Sequence, residues 1–99
     1  MNILLLCSGG FSTSILVDNM MEAGGNQNHI EAHPASDVEE LVDDYDVVLV
    51  GPQIRFRYNK IEKTVLEHGK KVALISSQQY SRMDGKEMLE LAEKTLKGE

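Results

Sequence analysis

Residues 4–14 read LLLCSGGFSTS: three leucines, the only cysteine of the chain, two glycines, then a segment rich in hydroxyls. With Ile3, the leucines form an apolar run without alternation, as expected of a strand buried on both faces. Gly9 and Gly10 break the run. Ser12 then suits the N-cap of a helix over residues 13–23, with Ile15, Leu16, Met20 and Met21 as its apolar face and Gly24-Gly25 as its stop. A strand passing through a glycine turn into an amphipathic helix is the opening of a β-α-β unit.

The rest of the chain repeats the plan. Residues 47–50 (VVLV) and 72–75 (VALI) are two more buried-strand runs, and a weaker, more polar strand around residues 29–33 suits a sheet edge. Between them, Ser36 is placed to cap a short helix carrying Val38, Leu41 and Val42. Ile54, Tyr58, Ile61 and Val65 recur at helical spacing up to Gly69, and Met88, Leu89, Ala92 and Leu96 mark a last helix. This alternation predicts an α/β fold with a four-stranded parallel sheet and helices on both faces, for which the strand order 2-1-3-4 is taken. It is a flavodoxin-like sandwich, similar in plan to low-molecular-weight tyrosine phosphatases. The 99 residues are enough for one domain, 1–99, and too few for two.

Composition narrows the function. With 41% hydrophobic residues and two prolines, the chain has the make-up of a folded globule. A single cysteine allows no internal disulfide and no paired-cysteine zinc or thioredoxin-type motif. His29, His33 and His68 lack metal-ligand spacing, so neither a metal nor a cofactor is expected. A formal charge of −6 argues against nucleic acid. The apolar residues after Met1 are too few for a signal segment or a membrane span, so a cytoplasmic protein without membrane insertion is expected.

In open α/β sheets ligands bind outside the carboxyl ends of the strands, where the strand order reverses. The predicted order puts Cys7, Ser8, Gly9, Gly10, Phe11, Ser12 and Thr13 at that point, facing Gly51, Pro52 and Gln53. The two glycines let backbone N–H groups turn inward, and the following helix adds its own unpaired N–H groups and positive dipole end. The same field favours the nucleophilic thiolate over a merely buried thiol. The anion such a cradle suits best is a phosphoryl group.

Known phosphate loops help to place this one. No lysine follows at the P-loop position, and the dinucleotide G-x-G-x-x-G spacing is absent. A thiol phosphatase loop runs C-x-x-x-x-x-R; here the arginine position is Thr13. Lacking that bidentate clamp, the loop suits holding a phosphocysteine for handover better than rapid hydrolysis. Three readings stand: a phosphoryl carrier, a small cysteine-dependent phosphatase or arsenate-reductase-like enzyme, and a flavodoxin-like binding module. For the last, only Phe11 and Tyr80 are at hand to stack on a flavin ring.

LLLCSGGFSTS, DVVLVGPQI at residues 46–54 and MDG at residues 83–85 together resemble the IIB components of the lactose, cellobiose and chitobiose class of the bacterial phosphoenolpyruvate-dependent sugar phosphotransferase system. The resemblance covers nearly the whole chain. It implies that Cys7 accepts a phosphoryl group from a phosphohistidine of the IIA component. Cys7 then passes it to a sugar, such as cellobiose, chitobiose or lactose, bound by the membrane component IIC. It matches residues 8–13 to the phosphate-binding loop and Gly51, Pro52 and Gln53 to the second loop. It also implies a monomer associated peripherally with the permease. Phe11 departs from the methionine that many members carry.

The remaining polar residues have plainer readings. Arg55 and Arg57 read as a solvated helix start that also has the charge to steer a phosphorylated partner. Asp84-Gly85 reads as a turn and helix start, and Glu39, Glu40, Asp43 and Asp44 as a solvated helix face.

Overall fold

The computed structural model describes residues 1–8, 11–24 and 27–98, apart from the side chain of Phe11. Gly9, Gly10 and Gly25 therefore lie outside the described residues. Four parallel strands, β1 (Asn2–Cys7), β2 (His29–Pro34), β3 (Val47–Val50) and β4 (Lys71–Leu74), form one sheet in the order β2-β1-β3-β4. The predicted topology is the one found.

Strand alternation sorts the core into two layers. Ile3 and Leu5 of β1, with Val47 and Leu49 of β3, pack against Leu16 and Met20 of α1 (Phe11–Gly24) and Met88, Leu89 and Ala92 of α5 (Gly85–Leu96). Leu4, Leu6, Val48 and Val50 face the other way, onto Val38 of α2 (Val38–Leu41), Val42, and Ile61 and Val65 of α3 (Tyr58–Glu67). β3 is buried throughout, and β1 from Ile3 to Cys7, because each has a strand on either side and a helical layer on either face.

Five expectations need correction. Residues 72–75 read as a fully buried run, yet β4 is an edge strand with only half-buried and exposed positions, and it is Ile75, just beyond it, that is buried. The first helix begins at Phe11, so Ser12 lies in its first turn and is not its cap. Its buried face is Leu16 and Met20, while Ile15 and Met21 point largely to solvent. Ser36 caps nothing: it lies in a 3-10 turn, Ala35–Asp37, that runs into α2. Likewise Ile54 belongs to a 3-10 segment, Pro52–Arg57, that precedes α3.

A helix absent from the sequence reading, α4 (Ser77–Arg82), follows β4. Ser76 caps it, its hydroxyl accepting from the Gln79 N–H at 3.0 Å while the Gln79 side chain accepts from the Ser76 N–H at 3.0 Å. This reciprocal capping box stabilises a helix too short to form by propensity. Asp84 then caps α5, as expected of the Asp84-Gly85 turn, its carboxylate accepting from the Glu87 N–H at 3.1 Å.

Candidate functional site

Cys7 is the last residue of the central strand β1, in register with Pro34 of β2, and only 5% of it is exposed. The strand order reverses between β1 and β3, and the Gly51 N–H donates to the Leu6 carbonyl at 2.9 Å, closing the backbone beside the cysteine. Cys7 and Ser8 form the floor of a pocket of about 280 Å³. One wall is Pro34, Ala35 and Ser36; the other is Ile54, Phe56 and Arg57. An adjoining cleft of about 180 Å³ shares Ala35, Ser36 and Arg57 and continues past Lys60 and Thr64.

Helix α1 starts four residues beyond Cys7 and has no acidic residue in its first turn, whereas α5 carries Glu87 in its own. No carboxylate of its own first turn thus offsets the positive end of the α1 dipole, the end from which an anion on the sulfur would be met. Gly9 and Gly10, assigned to the same loop, lie outside the described residues, as does the side chain of Phe11.

Thr13, at the position where a phosphatase carries arginine, is 3% exposed and its Oγ1 lies 3.0 Å from the Tyr80 hydroxyl. The Ser12 hydroxyl, exposed, lies 2.8 Å from the same phenol oxygen. Tyr80 is itself buried, at 9% exposure, so its ring is not open to stack on a flavin. The sequence reading missed this hydroxyl cluster because its members are 67 and 68 residues apart. The Ser76/Gln79 capping-box spacing was the signal that would have placed Tyr80 on a helix.

The second loop lies beside the end of β1, through the Gly51–Leu6 bond. Gly51 and Pro52 are buried and Gln53 is exposed, its amide oxygen folded back so that a β-carbon on Gly51 would lie 2.5 Å from it. None of the three is in the described lining of the Cys7 pocket, which instead takes Ile54, Phe56 and Arg57 from the following residues. Arg55 is tied back, donating to the Pro52 carbonyl at 3.1 Å. Arg57 is the cation that reaches the pocket, its guanidinium carbon 5.8 Å from the centroid of the Phe56 ring, itself 78% exposed.

On the remaining side, His33 and His29 of β2 both engage the Glu31 carboxylate, His33 at 3.0 Å. These bonds, led by that to His33, hold the Glu31 carboxyl below its ordinary range. Asp43 and His68, 2.8 Å apart, join the α2 region to the end of α3.

Residues 2–91 match the family model of the lactose/cellobiose-specific IIB subunit of the phosphotransferase system. The chain is 36% identical to the oligo-beta-mannoside-specific EIIB component of Bacillus subtilis, covering 91% of this chain and 90% of that protein. It is 32% identical to the cellobiose-specific EIIB component of Lactococcus lactis, with 92% of each covered. Among solved structures, the cellobiose-specific IIB component of Borrelia burgdorferi superposes with a TM-score of 0.81 at 35% identity, over 99% of this chain and 93% of that one. The lactose-specific IIB domain of Streptococcus pneumoniae gives 0.85 at 15% identity over 96% of each, a likeness of fold alone. The chain belongs to the lactose/cellobiose-specific IIB family and is a phosphotransferase component of sugar transport.

Proposed function

We propose that Cys7 carries a phosphoryl group between a phosphohistidine of the IIA component and a sugar held by the membrane component IIC. The observation that carries this reading is the placement of Cys7 on the floor of a pocket at the carboxyl end of β1, followed directly by a helix start free of carboxylates. In the first step the Cys7 thiolate attacks phosphorus, the S–P bond forms as the N–P bond breaks, and the departing imidazole takes up a proton. In the second a sugar hydroxyl attacks, its O–P bond forms as the S–P bond breaks, the sulfur leaves as thiolate and the hydroxyl proton passes to a base or water.

Ser8, Gly9, Gly10, Phe11, Ser12 and Thr13 form the loop that wraps the group, its charge met by backbone N–H groups and hydroxyls. Gly51 and Pro52, with Gln53 over them, support the strand end. Arg57, from the opposing wall, adds positive charge where the donor protein approaches. The arrangement favours handover over hydrolysis, since Thr13 is buried against Tyr80 and no guanidinium stands in the loop. Relatives named for oligo-beta-mannosides, galactose and cellobiose match this chain at similar identity. A β-linked disaccharide such as cellobiose, chitobiose or lactose is the acceptor class we propose.

Among the described residues no helix is long and apolar enough to cross a membrane. The proposed working form is a single domain over residues 1–99, monomeric, cytoplasmic and docked on its permease. Intact mass after incubation with phosphorylated IIA tests the central step. Wild type is expected to gain one phosphoryl group and Cys7→Ser none; uptake retained by the variant, or turnover of an aryl phosphate by wild type, would sink the carrier reading.

A further inference from the structure

We propose that Tyr80 is a positioning residue for phosphoryl acceptance at Cys7, acting through a relay of three hydroxyls, Thr13 to Tyr80 to Ser12, that leaves the Ser12 proton for the phosphoryl group. The inference rests on the carrier reading above. Its basis is the proton inventory of the cluster. A phenol has one proton and can also accept, and here it lies 3.0 Å from Thr13 Oγ1 and 2.8 Å from Ser12 Oγ.

Two arrangements satisfy both contacts while keeping the buried phenol proton bonded within the cluster. In one, Tyr80 donates to Thr13 and Ser12 donates to Tyr80, so the Ser12 proton is used within the cluster. In the other, Thr13 donates to Tyr80, Tyr80 donates to Ser12, and the Ser12 proton is left to point outward. Burial assigns the roles: Thr13 and Tyr80 are shielded from water and stay paired, while exposed Ser12 is the member able to exchange partners. An anion at the start of α1 selects the second arrangement, because a bond from Ser12 to a charged oxygen is stronger than one to a phenol.

The Tyr80 backbone is fixed. Its amide N–H donates to the Ser76 carbonyl at 2.9 Å, inside the turn closed by the Ser76 and Gln79 capping box. Arg82 donates two bonds to Glu87, at 2.9 and 2.7 Å, joining α4 to α5. Tyr80 thus offers its oxygen from a held backbone, as an orienting residue must.

The test compares Tyr80→Phe, Ser12→Ala and the double variant by rate of phosphoryl uptake from phosphorylated IIA, alkylation of Cys7 by iodoacetamide, and thermal melting. Each single variant should slow uptake roughly tenfold: Ser12→Ala loses the bond to the charged group, and Tyr80→Phe loses the phenol that holds the Ser12 proton toward it. The double should be no slower than either single, because both break one relay. Alkylation by this neutral reagent should stay within about twofold of wild type, since no phosphoryl group needs orienting. Uptake by Tyr80→Phe at the wild-type rate, losses that multiply in the double variant, or alkylation slowed in parallel with uptake would each overturn the relay. Should Tyr80→Phe fail to melt cooperatively, Ser12→Ala, altered only at an exposed position, must still show the tenfold loss or the relay is refuted. Absence of uptake by wild type is a different result: it overturns the carrier reading itself.

Discussion

Two segments flank the carboxyl end of β1, and they are built in opposite ways. The first turn of α1 is tied through Ser12 and Thr13 to Tyr80, and further along α1 the Asn19 amide donates to the Met83 carbonyl at 2.8 Å. The 3-10 segment Pro52–Arg57 anchors itself with Ile54 and Pro52 but leaves Phe56 and Arg57 at the surface. The contrast fits the division of labour that the proposed function asks for: one side to hold a transferred group in place, the other to present an apolar and cationic surface to proteins that come and go.

The largest expected effect tests whether the α1 side is truly held. Gly85, at the start of α5, sits so close to α1 that a β-carbon there would lie 2.2 Å from the Asn19 carbonyl oxygen and 2.6 Å from the Met20 nitrogen. These are backbone atoms, which cannot rotate away as a side chain does. Gly85→Ala should therefore push α5 off α1 and lower unfolding stability by about 3 kcal/mol. Phosphoryl uptake should fall with it. A variant within about 0.5 kcal/mol of wild type in urea would show that this contact yields easily, and the contrast between the two sides would fail.

On the other side the expected signature is reversed. Arg57→Gln should leave stability within about 0.5 kcal/mol. It should slow phosphoryl transfer from IIA about fivefold at low salt, with the gap closing as ionic strength rises, because a surface charge acts chiefly on the encounter rate. A salt-independent loss would instead place Arg57 in contact with the transferring group. That would restore to this site, from the other wall, part of the arginine role that Thr13 does not fill.

How much of this was legible in the sequence depends on the distance over which each feature is encoded. The β1 and β3 runs, the α5 face at Met88, Leu89 and Ala92, and the stop at Gly69 were readable because each is a local pattern. β4 was misjudged because an apolar run does not say which strand ends at an edge. α4 has one buried residue in six, and so no periodicity to read. Cys7 stood out through its own neighbours. Tyr80 did not, since its role arises only when α4 folds back on α1. Arg57 was visible as a charge, but its place on the pocket wall depends on the kinked 3-10 path through Ile54.

The smallest effect concerns β2, which contributes Pro34 to the pocket and belongs to neither segment. Glu31 accepts from His33 and His29, and these bonds keep its carboxyl below the ordinary range. A carboxyl lowered in the folded state stabilises the fold fully above its ordinary pKa, and that contribution fades as pH falls through the lower folded value. Wild type should therefore exceed Glu31→Gln in thermal stability near pH 5 and lose the advantage by about pH 3. The difference should stay under about 1 kcal/mol, since the Glu31 side chain is 45% exposed and its charge is screened by solvent. Phosphoryl uptake at Cys7 should not change between the two proteins, because Glu31 lies three residues before Pro34 and outside the described lining of the pocket. A parallel loss of uptake would bring β2 into the site and turn the two-sided contrast into one of three.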